Sequence, residues 1–156
     1  MTTSMITKIS ITFSALAAVA VLAAPSQAQT SCNNATIKGA YASLANEWIG
    51  LAPPYKVLAA VRETLFDGVG GFTSFGYLSN SGTIQQFTLD GTYTVNADCT
   101  MTVKGVSSTG TSAMFFGVIA ADSNKIYQIR TDPATAMTGN TETIVFERVV
   151  SNQNVQ

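Results

Sequence analysis

The sequence predicts an all-β protein, an antiparallel up-and-down meander of eight to nine strands closed into a barrel. Three observations predict it. Beyond the N-terminal leader no stretch repeats apolar residues at helical spacing. Short runs rich in Thr, Val, Ile, Tyr and Phe recur instead, and Gly, Asn, Asp and Ser clusters suited to tight hairpins separate them. A meander of that length removes its exposed edges most simply by closing on itself, with a two-layer β-sandwich as the runner-up.

Taken in order, the first strand is expected over 37–48, where Pro53-Pro54 stops it from continuing. The second covers 55–66 and ends at Asp67-Gly68; the third, 72–78, ends at Asn80-Ser81-Gly82. Strands over 83–89 and 92–96 are separated by Asp90-Gly91, and Ala97-Asp98 leads into a strand over 100–106. The remaining strands are 114–120, 125–131 and 141–149, the first two joined at Asp122-Ser123-Asn124. Asn, Asp and Gly at these corners accept positive φ or bond their own backbone.

The chain opens with one cation, Lys8, an apolar run from Ile9 to Ala24, and Ser26-Gln27-Ala28. That is the layout of a secretory signal cut after Ala28, with a run too short for a membrane span. The expected organisation is therefore a signal peptide over 1–28 and a single barrel domain over 29–156, of which about 150–156 is a flexible tail. Secretion or delivery to a periplasm is expected, with no stable membrane span after cleavage. Loss of Lys8 moves the formal charge from −1 to −2, and the other cations are scattered singly. Without a basic cluster there is no footprint for a phosphate backbone, so nucleic acid is not an expected partner.

Cys32 and Cys99 make an even count in an exported chain, where a disulfide is expected. Closing a loop of about 70 residues is worth roughly 4 kcal/mol in the chain-entropy account.

Three stretches suggest kinship: Cys32-Asn33-Asn34-Ala35-Thr36-Ile37-Lys38-Gly39-Ala40-Tyr41, the hairpin Phe66-Asp67-Gly68-Val69-Gly70-Gly71-Phe72, and the run from Gly91 to Thr100, GTYTVNADCT. They resemble a group of small secreted bacterial β-barrel proteins of unknown function. The resemblance covers nearly all of the chain after the leader. It implies a cup-shaped barrel of the calycin or allene-oxide-cyclase type with an apolar ligand, and it carries over no catalytic residues.

The chain has no histidine, which removes the commonest general base and metal ligand together. Bridged cysteines remove thiolate chemistry, and Gly68-Val69-Gly70-Gly71 joins two strands, so the dinucleotide reading fails. Asp67-Gly68-Val69-Gly70 offers calcium a single local carboxylate and reads as a turn. No metal and no cofactor are expected.

Carboxylates are the remaining catalytic candidates. Odd positions of the first strand put Tyr41 and Glu47 on one face, and Tyr55, Val57, Ala59, Val61, Glu63 and Leu65 share a face of the second. A turn centred near Ala52 pairs residue 47 with about 57 and residue 41 with about 63. Glu63 then lies roughly 20 Å from Glu47 at the strand rise, too far for two-carboxylate chemistry, and beside Tyr41. If the register is one residue out, Arg62 turns inward in place of Glu63.

Tyr41, Tyr55, Phe75, Tyr77, Phe87, Tyr93 and Tyr127 fall in phase with the presumed inner face, and Phe115 and Phe116 point opposite ways. Candidate ligand contacts are Tyr41, Glu63, Phe75, Phe87, Tyr93 and Trp48, the last near a barrel mouth. Three readings follow. One is a secreted binding module for a small apolar molecule. Another is an isomerase or cyclase using Glu63 and Tyr41. The third is a structural or interaction protein of the envelope or matrix. The catalytic reading is the weaker of the first two.

Overall fold

Alternation carries the architecture. In a computed structural model, which describes residues 31–50, 54, 56–132 and 141–149, the chain forms a closed antiparallel barrel. Its strands are β1 (Gly39–Ile49), β2 (Lys56–Phe66), β3 (Gly71–Asn80), β4 (Thr83–Val95), β5 (Thr100–Ser107), β6 (Ser112–Ile119), β7 (Lys125–Arg130) and β8 (Thr141–Arg148). Each pairs with the next, and β8 returns to β1, so no edge is left unpaired. Along β6 and β8 every second residue is buried, the signature of a wall with one face inward. The expected leader over 1–28, Tyr55 and the tail over 150–156 lie outside the described residues.

Two sequence expectations change. The strands expected over 83–89 and 92–96 are one, because Asp90-Gly91 lies inside β4 and makes no hairpin. Gly91 faces Gly105 across the β4–β5 ladder, and a Cβ on it would sit 2.0 Å from the Lys104 carbonyl oxygen. The glycine serves close backbone approach, which no side chain permits.

The second change is register. Tyr41 pairs with Thr64 and Glu47 with Leu58, one residue away from the expected partners. A slip of one turns every side chain to the other face. Ala60, Arg62, Thr64 and Phe66 therefore point inward, while Val57, Glu63, Val61 and Leu65 point out. The face of β1 is as expected, with Tyr41, Ser43, Ala45 and Glu47 buried.

One end of the barrel is sealed. A 3₁₀ turn over Asn34–Ile37, capped by Asn33, lays the fully buried Ile37 across it. The Cys32–Cys99 disulfide clips this turn to the β4–β5 corner. Cys99 itself has φ 64°, and Asp98 holds the corner by accepting from the Thr100 N–H at 3.0 Å. Beneath it the Phe66 ring meets Tyr41 and Tyr93 edge-on, with centroids 5.6 and 5.0 Å away. Polar groups here are matched. Tyr41 Oη donates to the Ser123 carbonyl at 2.8 Å, and Tyr93 Oη donates to the Asn34 carbonyl and accepts from the Gly68 N–H. Asp67 Oδ1 accepts from the Val69, Gly70 and Gly71 N–H groups, which makes it a turn former.

Candidate functional site

The opposite end holds the site. Closure of the sheet brings Glu47 from β1, Arg62 from β2, Arg130 from β7 and Glu142 from β8 to one level inside the wall, with Asp132 just past β7. Glu47, Arg62, Arg130 and Glu142 form the floor of a cavity of about 390 Å³ that, among the described residues, is open at its mouth. Its walls mix Leu58, Leu78, Phe87 and Phe115 with Asn80, Gln85, Gln86 and Thr109. Below the floor the interior is filled by Phe66, Phe72, Phe146 and their neighbours, leaving a void of only about 10 Å³.

The floor is an ionic network of uneven quality. Arg130 donates to Asp132 from Nε at 2.6 Å and to Glu47 from Nη1 at 2.9 Å, and Nη2 reaches the Ser112 carbonyl at 3.5 Å. Glu142 is the direct cross-strand neighbour of Glu47. Its two oxygens lie 3.7 Å from Arg62 Nη2 and 3.7 Å from Arg130 Nη1, too far for hydrogen bonds. Arg62 is only 8% exposed and donates to Ser43 Oγ through Nε at 3.2 Å. Among the described residues its Nη groups find no acceptor at hydrogen-bond distance, and neither does Glu142 find a donor.

Burial governs the electrostatics. It raises the Glu142 carboxyl above the ordinary range, against the pull of Arg62, and the neighbouring Glu47 pushes the same way. Burial raises Glu47 as well, with Arg130 opposing. Burial lowers Arg62, partly offset by Glu142. At Arg130 burial works against the charge, but Asp132, Glu47 and Glu142 outweigh it and the net shift is upward. Three carboxyls face two guanidiniums, so the ionised floor carries one carboxylate in excess.

The residues singled out from the sequence fall in different places. Phe87 lines the cavity. Tyr41 and Tyr93 belong to the sealed end, where burial raises both phenols. Glu63 lies on the outer wall in a groove with Leu44, Phe75 and Tyr77. The barrel wall therefore separates it from Tyr41, and the expected inner pair does not form. Phe75, Tyr77 and Tyr127, expected inside, are about half exposed on the outer wall, and so is Trp48. Phe115 is buried and Phe116 is outside, as their opposite phases required.

Sequence reasoning missed Arg62 as a principal residue, and Arg130, Asp132 and Glu142 altogether. A signal existed for one of them: Glu142 steps by two into Ile144 and Phe146, which places a carboxyl in phase with buried apolar residues. Among the described residues no three ligating side chains converge as a metal site, and no helix is long and apolar enough to cross a membrane. No family model, curated protein or solved structure matches the chain.

Proposed function

We propose that the protein is an exported binding module of the calycin-like kind that holds a small molecule in the open mouth of its barrel. The observation that carries this reading is the buried, incompletely hydrogen-bonded pair of Arg62 and Glu142 at the floor of a 390 Å³ cavity. At 3.7 Å the two charges attract but make no direct hydrogen bond, and a ligand or water that bonds both groups offsets part of their desolvation cost. Apolar wall residues with a few convergent polar groups below them are the usual form of a small-molecule site.

The floor also narrows the ligand. A purely apolar molecule would fill the mouth but bridge neither gap beside Glu142, so the occupant is amphipathic: an apolar part against Leu58 and Phe87, polar atoms at the floor. The Cys32–Cys99 bridge supports export, because such bonds persist in oxidising compartments. The leader over 1–28 is read in the same way.

Native mass spectrometry and solvent extraction of protein purified from its own host test the reading. A bound small molecule, lost when the mouth is blocked by a bulky substitution such as Ala113→Trp, is the expected result. A protein that is consistently ligand-free and takes up none of a broad metabolite panel would overturn it.

A further inference from the structure

The hydrogen-bonding geometry of the floor specifies the ligand more closely; this step rests on the mouth being a ligand site. Glu142 stands between two guanidiniums, Oε1 toward Arg62 Nη2 and Oε2 toward Arg130 Nη1, each across a 3.7 Å gap. An oxygen set to one side of the line joining such a pair lies about 2.8 Å from both members at once. It must accept from the guanidinium and donate to the carboxyl oxygen. A hydroxyl does both, whereas a carbonyl or ester only accepts and an ammonium only donates.

The two gaps flank one carboxyl group, one on each oxygen. Two hydroxyls on adjacent carbons therefore match them together, each accepting from one arginine and donating to one oxygen of Glu142. A single charge on the ligand does not suit the floor. An anion adds to a set that already has one carboxyl in excess, and a cation cannot accept from the arginines.

The rest of the cavity has the same character. Ser107, Thr109 and Thr111 form a ladder of hydroxyls at the rim, with oxygens 2.8 and 3.3 Å apart, and Asn80, Gln85 and Gln86 supply amides on the other side. Leu58 and Phe87 offer an apolar surface for the C–H face of a ring. A cavity of about 390 Å³ has room for a ring of monosaccharide size. We infer that the mouth binds a neutral polyol of monosaccharide size, its vicinal diol clamped on Glu142 between Arg62 and Arg130.

The test is titration of the full mature chain, followed by ¹⁵N NMR including the arginine Nε signals. The probes are D-glucose, D-galactose, D-mannose, myo-inositol, cis-cyclohexane-1,2-diol, cyclohexanol and octanoate. At least one hexose or inositol should bind and shift the Arg62 and Arg130 Nε resonances, and the diol should bind at least tenfold tighter than cyclohexanol. Glu142→Gln should weaken polyol binding at least tenfold with an unchanged far-ultraviolet spectrum. If that variant fails to fold, the diol and cyclohexanol comparison on the wild type decides. Binding of octanoate or cyclohexanol with no response to any polyol overturns the polyol assignment while leaving the mouth a ligand site. Silence toward every probe, with only water bridging Glu142 to the arginines in a crystal structure, overturns the polyol assignment; ligand-free protein from its own host would then remove the site as well.

Discussion

The two ends of this barrel solve opposite problems with the same wall. At the sealed end aromatic rings meet edge-on, the phenols of Tyr41 and Tyr93 have partners, and Arg148 is spread over the Lys38, Thr36 and Ser123 carbonyls. At the open end Arg130 is well matched, but Arg62 and Glu142 face each other across a gap. A fold selected only for stability would fill that gap with apolar side chains, since buried ion pairs gain little over them. The contrast sets an end closed by packing and matched hydrogen bonds against one that keeps the buried charges of Arg62 and Glu142 without a direct hydrogen bond between them.

The largest test of that division is Phe66→Ala. Phe66 is 2% exposed and contacts Tyr41, Phe72, Tyr93 and Phe146, so its truncation should cost about 3–5 kcal/mol in urea unfolding. Phe87→Ala, at the half-buried mouth, should cost about 1 kcal/mol. Comparable losses at the two positions would erase the distinction. Next in size is the bridge: replacing Cys32 and Cys99 with Ser should cost roughly 2–4 kcal/mol and lower the melting temperature, leaving ligand affinity at the mouth unchanged. A melting temperature indifferent to reduction would mean that the sealed end does not depend on its clip.

The sequence reveals the two ends unequally, and particular residues show why. Turn chemistry and alternation are local, so most strands are readable, and an even cysteine count behind an expected leader points to the bridge. Asp90-Gly91 misled because the same dipeptide that suits a hairpin also suits a mid-strand glycine pressed against Lys104. The face of β2 misled because both of its faces carry apolar residues: Val57, Val61 and Leu65 outside, Ala60 and Phe66 inside. Alternation cannot choose between two such faces, and only the register to β1 does. The charged floor was illegible for a different reason. Glu47, Arg62, Arg130 and Glu142 come from four strands, two near the start and two near the end of the chain, and only closure of β8 onto β1 brings them together.

The smallest effect sharpens the comparison most, because it separates the ends by pH. At the sealed end and its neighbouring corners Asp67 and Asp122 accept backbone N–H groups and Asp98 accepts the Thr100 hydroxyl and N–H, and their carboxyls are lowered. Their contribution is present above the unfolded aspartate value of about 3.9 and is lost as pH falls through the lowered native values. Glu47 and Glu142 at the open end are raised, by burial above all, so the native state holds their protons longer than the unfolded chain does. Their sign is therefore opposite. Stability is full below the unfolded glutamate value of about 4.3 and declines as pH rises through the raised native values. Melting temperature should pass through a maximum in weak acid and fall on both sides. Glu142→Gln should flatten the fall toward neutral pH and leave the acid limb in place, whatever it does to the absolute melting temperature. Differential scanning calorimetry between pH 3 and pH 8 reads both limbs. An unchanged neutral limb would mean that Glu142 ionises freely, and so that the floor of the mouth is wetter than its burial implies.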